Sequence, residues 1–263
     1  MIVECTNDNI ETVFDYIGQD YGKCLYIFID LKKYGLDDEN FNVWIQYDDD
    51  KICAIISEYY GGVQIYSKSE DLIIEEIVEF IKQKDTKVLF SIKPIIDKIK
   101  EYLPDYEQET GIVGELEELI FEPDLKAYSA PVEELEEIVR IVSEDEGIGK
   151  PYGFDSLYSQ YYERKTTDFG RNFVLRDDDN EIICHAGTYA ELPELAVIGG
   201  VITSIPYRGK GFSKGTLSAL CSQLKSENKR IFSYYYIPSA TKMHTSVGFK
   251  QIEEWSKLSK IEQ

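Results

Sequence analysis

The sequence predicts an α/β chain of the α+β kind, and it carries the same order of elements twice. Three observations predict this. Alternating apolar residues in short runs are interleaved with runs of helical period in both halves. The charge is uneven: residues 1–130 carry 29 acids and 12 bases, and residues 131–263 carry 20 and 16. All six arginines lie in the second half. Between the halves, Phe121-Glu122-Pro123-Asp124 through Ser129-Ala130-Pro131 has two prolines and no hydrophobic period, which predicts a seam and domains 1–125 and 126–263.

In the first half, residues 41–47 and 51–59 read as a hairpin around Asp48-Asp49-Asp50, and 62–67 as a third strand. A helix over 71–84, a strand over 87–92, a helix over 94–102 and strands over 106–121 follow. No element is assigned before Phe41. In the second half, Val132, Leu135, Ile138, Val139 and Val142 place a helix over 131–146. Asp155 is the expected N-cap of a helix reaching Phe169. Strands over 171–176 and 181–189 flank the turn Asp177-Asp178-Asp179-Asn180. The run 195–204 is a strand whose Gly199-Gly200 predicts a bulge or a close backbone approach. A helix over 212–227, a strand over 230–237, a short helix over 238–247 stopped by Gly248, and one or two strands over 251–261 complete the chain.

The informative stretch is Val201-Ile-Thr-Ser-Ile-Pro-Tyr-Arg-Gly-Lys-Gly-Phe-Ser213, where a strand ends, a glycine-bearing loop follows and a helix begins. The first N–H groups of a helix lack internal partners and carry the positive end of its dipole. Glycines admit close approach, so such a junction makes a pyrophosphate cradle from main chain. Arg208, Lys210 and Lys214 add positive charge. The spacing matches neither the Gly-x-x-x-x-Gly-Lys-Ser/Thr loop nor the dinucleotide Gly-x-Gly-x-x-Gly.

Arg208-Gly-Lys-Gly-Phe-Ser213 resembles the acyl-CoA loop, Gln/Arg-x-x-Gly-x-Gly/Ala, of the GNAT N-acyltransferase superfamily. Gly200 to Pro206 resembles that family's fourth strand, and Pro238 to Phe249 its short helix ending in Gly-Phe. The resemblance covers about residues 130–263 and implies two GNAT-like domains, each a mixed, mostly antiparallel twisted sheet flanked by helices. The first is a degenerate copy: after Gln64-Ile65-Tyr66 comes Ser67-Lys-Ser-Glu-Asp71, with acids where phosphates would sit and no glycine. The resemblance implies acetyl-CoA as cosubstrate and transfer of its acetyl group to an amine. Val201, Ile202, Thr203, Arg208, Gly209, Lys210, Gly211, Phe212, Ser213 and Ile237 are the implied acyl-CoA contacts.

The sequence departs from the family at two places. His244 stands where the family's general-acid Tyr is usual, and Ile237 where many members carry Asn. His244 is read as the general acid, with a pKa raised by its place near a helix end. A polar residue left behind after loss of that role is the competing reading. Glu194, and beside it Glu191, are the weak candidates for the base. One or two of Tyr234, Tyr235 and Tyr236 are expected to face the cleft, and His185 is read as a satisfied strand histidine. Acyl-CoA binding or sensing without catalysis is the alternative function.

A net charge of −21 argues against nucleic-acid partners, an aminoacyl-tRNA donor and an anionic lipid surface. It suits a small cationic amine as substrate. Five scattered cysteines, an odd number with no Cys-x-x-Cys pair, fit a reduced cytoplasmic compartment and no metal site. No secretory leader is read at Met1–Cys5, and the expected assembly is a monomer or homodimer.

Overall fold

A computed structural model describes residues 1–146, 149, 150 and 152–261. The chain divides into two compact units: Met1–Ile112 with Glu253–Gln263, and Val113–Ile252. No helix among the described residues is long and apolar enough to cross a membrane.

The first unit contains β1 (Ile2–Glu4), α1 (Ile10–Ile17), α2 (Tyr21–Tyr34), β2 (Phe41–Asp48), β3 (Lys51–Tyr59), β4 (Gly62–Tyr66), α3 (Ile74–Gln83), β5 (Val88–Ile92) and α4 (Lys93–Lys100). It also holds residues 106–112 of β6 (Tyr106–Leu116) and 253–260 of β12 (Phe249–Lys260). The second unit contains β7 (Tyr128–Ser129), α5 (Leu135–Ser143), α6 (Phe154–Thr166), β8 (Asn172–Arg176), β9 (Ile182–Glu191), β10 (Leu195–Thr203), α7 (Phe212–Ser226), β11 (Arg230–Tyr235) and α8 (Pro238–Val247), with the remainders of β6 and β12. Each unit runs strand, two helices, three strands, helix, strand, helix, strand. The two helices of the first unit lie in the stretch where sequence reading assigned nothing.

Within the first unit the strand order is β1-β2-β3-β4-β5-β12-β6. Neighbours from β1 to β4 are antiparallel, β4–β5 is parallel and β5–β12 antiparallel. Residues 253–260, far along the chain, thus fill the place between β5 and β6. The second unit mirrors this, with order β7-β8-β9-β10-β11-β6-β12 and β10–β11 as the parallel pair. Here residues 113–116 fill the place between β11 and β12.

The boundary expected at 125/126 therefore falls inside the second unit. The proline-bearing segment is an exit from β6 that stays tied to its own unit. Ile120 N–H donates to Val247 O at 3.0 Å and Asp124 N–H to Gly215 O at 3.1 Å.

The local elements follow from patterning. In α3, Ile77, Val78 and Ile81 are buried, Glu75 and Glu76 face the helix dipole's positive end, and Lys82 sits in the last turn. In β3 the run Cys53–Ser57 is buried without alternation, as befits a strand covered on both faces. Each such fully buried aliphatic side chain contributes about 1.5–3 kcal/mol, and Ile96→Ala in α4 would cost about 2–5 kcal/mol. The turn 177–180 forms as predicted, with Asn180 at φ 68° and Asp177 Oδ1 accepting from the N–H groups of Asp179 and Glu181. The N-cap of α6 is Gly153 at φ 74°, not Asp155, which lies in the first turn instead.

Candidate functional site

The site begins where β10 and β11 separate. They pair in parallel from Leu195↔Arg230 to Ile198↔Ser233, and the pairing stops there although both strands continue. On its other side β10 stays paired with β9, but its register shifts between Gly199 and Ile202, so Gly200 and Val201 form a bulge. Two positions explain the glycines. Gly200 has φ 64°, and a Cβ on Gly199 would lie 2.3 Å from the Tyr189 ring. The predicted bulge and the close approach are thus both present.

Beyond Thr203 a single turn of 3-10 helix leads into the loop 208–211. Gly209 (φ 80°) and Gly211 (φ 88°) are left-handed, with open space where a side chain would project. Gly211 is the N-cap of α7, which has no side-chain cap and no acid in its first turn. The N–H groups of residues 209–213 have no hydrogen-bond partner among the described residues. The basic side chains are engaged sideways. Arg208 donates to Thr203 O at 2.9 Å and pairs with Asp145, Lys210 lies over the Tyr207 ring, and Lys214 over Phe121. The polar groups left open at this junction are therefore main-chain N–H groups.

His244 does not hold the expected position of a poised acid. It is buried in α8, its Nδ1–H donating to Ala240 O at 2.9 Å while Nε2 accepts from Ser233 Oγ at 3.0 Å. Its ring stacks on Tyr235 at 4.5 Å. Burial drives its pKa down to about 4, the reverse of the expected rise, because desolvation of an imidazolium outweighs the hydrogen bond to Ala240 O. The ring is neutral near pH 7 and knits α8 to β11.

The base candidates are also displaced. Glu194 precedes β10 at the end where β10 and β11 are still paired; its carbonyl accepts from Arg230 N–H. It stands roughly 20 Å along the strand from the bulge, six residues at about 3.3 Å each. Glu191 is buried in a network in which Arg171 grips it through two nitrogens (2.7 and 2.6 Å), with Lys229 at 2.9 Å and Thr188 Oγ1 at 2.7 Å. These partners, Arg171 first among them, hold its pKa low against burial. Its role is to bind strands and helix end together.

Ile237 is the exposed N-cap of α8. Tyr235 is buried against His244, so of the three tyrosines it faces the helix; Tyr234 is half-buried and Tyr236 exposed. His185 is fully buried with both ring nitrogens partnered, as expected. Sequence reading missed Tyr161 and Tyr189. Tyr161 is buried, and a Cβ on Gly200 would lie 2.8 Å from its hydroxyl. Arg164 lies over both rings. Tyr161 lies on α6, whose weak apolar pattern gave no signal. Among the described residues no group of three or more His, Cys, Asp or Glu side chains could hold a metal.

No protein-family model matches the sequence, and no curated protein matches it. Solved structures do match across the whole chain. A GCN5-related N-acetyltransferase from Sphaerobacter thermophilus superposes with TM-score 0.69 at 12% identity, covering 100% of this chain and 96% of that one. A GNAT-family acetyltransferase from Colwellia psychrerythraea gives 0.64 at 14% identity, over 98% and 99%. A tandem GNAT protein from the clavulanic acid biosynthesis pathway gives 0.61 at 10% identity, over 98% and 97%. The chain has the fold of the GNAT N-acetyltransferases.

Proposed function

We propose that the second unit is an acyl-CoA-dependent N-acyltransferase that moves an acetyl group from acetyl-CoA to the amine of a small cationic acceptor. The observation that carries this reading is the parting of β10 and β11 beside a glycine loop whose main-chain N–H groups lack partners. The N–H groups of Gly209, Lys210, Gly211, Phe212 and Ser213 suit a pyrophosphate at the positive end of α7. Val201, Ile202 and Thr203, along the unpaired edge of β10, suit the thioester arm. A fixed N–H donor there meets negative charge developing on the carbonyl oxygen.

In the transfer, the amine nitrogen bonds to the acetyl carbon and loses a proton. The carbon–sulfur bond breaks, its electron pair leaves with sulfur, and the thiolate takes up a proton. With His244 neutral and engaged at both nitrogens, that proton comes from water or from a tyrosine at the end of β11. The chain's net charge of −21 favours a cationic acceptor. Free, buried thiols at Cys5, Cys24, Cys53, Cys184 and Cys221 fit a reducing, cytoplasmic setting.

Binding without transfer is the second reading, and the engagement of His244 favours it. Calorimetry with acetyl-CoA and CoA, followed by thiol release over a panel of amines, tests both. The transferase reading expects binding and thiol release with at least one amine. Binding without release across the panel supports the sensor, and no binding overturns both.

A further inference from the structure

Three polar groups lie under α6 against the bulge: His185 and Asn172, from neighbouring strands, and the Tyr161 hydroxyl. His185 Nδ1 is 2.6 Å from the carbonyl oxygen of Gly200, and Nε2 is 2.9 Å from Oδ1 of Asn172. A carbonyl oxygen only accepts, so Nδ1 carries the proton and donates it. Burial holds the His185 pKa at about 4, so the ring is neutral and Nε2 must accept. Asn172 meets it with its NH2 end, which requires turning the carboxamide by 180° about its last torsion. The result is a directed chain from Asn172 through the imidazole to one peptide carbonyl.

That carbonyl belongs to the peptide joining Gly200 to Val201, and no cis peptide occurs among the described residues. In a trans peptide the C=O and N–H point in opposite directions. Fixing the Gly200 oxygen toward His185 therefore aims the Val201 N–H away from it. The left-handed φ of Gly200 is what lets this one peptide leave the ladder orientation. Tyr161 closes over the same glycine, so a side chain there would collide with its hydroxyl. A hydrogen bond to a carbonyl oxygen also polarises the peptide and strengthens its N–H as a donor.

We infer that His185, oriented by Asn172, is a positioning residue that sets the Gly200–Val201 peptide so that the Val201 N–H polarises the thioester carbonyl. This rests on the acyl-CoA reading above. The role differs from the acid and base roles sought in the sequence: His185 neither gives nor takes a proton in the reaction.

The test reads the carbonyl itself, independently of any acceptor. Infrared spectra of [1-13C]acetyl-CoA are recorded free and bound to the full chain, with its dissociation constant measured alongside. The wild type is expected to lower the carbonyl stretch on binding. His185→Phe should return it toward the free value, while the acetyl-CoA dissociation constant stays within about threefold. His185→Asn, whose NH2 group can stand where Nδ1–H stands, should keep most of the shift. If His185→Phe does not fold, Asn172→Leu keeps the ring but removes its orienting partner, and should lose part of the shift. An equal shift in the wild type and in the His185→Phe or Asn172→Leu variant overturns the inference. So does equal loss in His185→Phe and His185→Asn, which would assign the effect to packing. A wild type that binds acetyl-CoA with an unshifted carbonyl overturns this inference alone. A wild type that binds none overturns the acyl-CoA reading and this inference with it.

Discussion

Each unit contains a parallel strand pair, β4–β5 in the first and β10–β11 in the second, and the two pairs end differently. In the second unit β10 and β11 part at Ile198 and Ser233, β10 bulges, and α7 starts from an uncapped glycine. In the first unit β4 and β5 pair to Gln64↔Phe90, and then Ser91 Oγ donates to Ile65 O at 2.6 Å, closing the gap with a side chain. The pairing of β3 with β4 runs from Ile55↔Tyr66 to Tyr59↔Gly62 without a shift. The start of α3 is already served by buried Gln46. Its Oε1 accepts from Ile73 N–H at 3.0 Å, and its Nε2 donates to Ile73 O and Glu76. One topology thus leaves polar main chain open in one unit and consumes it internally in the other. Repeating an element order is not enough to repeat a site; the ends of the elements decide.

Four experiments break or sharpen this contrast. The largest effect is expected from cutting the chain at residue 125. A fragment of residues 126–263 lacks Val113–Leu116, and with it the pair Glu115–Arg230 (2.6 Å) and the strand beside β11. It should show no cooperative thermal unfolding by circular dichroism, whereas the whole chain should. A fragment that melts like the whole chain would show that residues 113–125 are dispensable.

Next in size, Gly211→Glu places a side chain at φ 88° and an anion beside the proposed phosphate site. CoA binding should weaken by about 100-fold or more, from an expected stoichiometry of one per chain, since strain and repulsion add. Calorimetry reads both numbers. Two CoA per chain would refute the contrast between the units.

The third effect is a pH dependence. His185 and His244 each titrate near 4 when folded against 6.5 when unfolded. Between those values the unfolded chain binds more protons, so stability is fully present above about pH 6.5 and declines as pH falls toward 4. The slope reaches at most about 1.4 kcal/mol per pH unit for each histidine. Urea titrations at pH 7 and 4.5 should show a smaller difference in His244→Gln than in the wild type. An unchanged difference would remove His244 from the account.

The smallest effect belongs to Ser91→Ala. It leaves the Ile65 carbonyl buried and unpaired, costing about 1–3 kcal/mol in chemical denaturation. It should leave the CoA dissociation constant unchanged, because the second unit is untouched. A changed constant would mean that the closed gap of the first unit influences the site.

Most of the fold was legible because it rests on patterns that sequence records directly. The hairpins at 48–51 and 177–180, the stop at Gly248 and the glycine pair 199–200 each follow from a local backbone requirement. A Cβ at Gly248 would overlap Glu118 O, so only glycine serves there. The loop 208–213 was legible for the same reason. The roles of His244 and Glu194 were not. Whether an imidazole is an acid or a packed ring depends on burial and on Ser233 and Ala240, which spacing does not reveal. Glu194 looked close to the fourth strand of its unit in sequence, but it sits at the wrong end of it. The domain boundary was misplaced because prolines report where a strand exits, whereas the compact unit is decided by long-range pairing.

The placement of residues 253–260 between β5 and β6 bears on how the chain is made. During synthesis the first unit emerges early, with β5 exposed along one edge. The strand that pairs with it, Trp255↔Ile92 through Ser259↔Val88, arrives only after the whole second unit has been translated. At 5–20 residues per second, that interval is on the order of 10–30 s. For that time Leu89 and its neighbours present an unpaired apolar edge, open to pairing with other chains. Closing it joins residues some 165 apart, the kind of contact that slows folding most. The acids concentrated in the first half act on this exposed intermediate as much as on the finished protein: mutual repulsion between nascent chains keeps the waiting edge from finding the wrong strand.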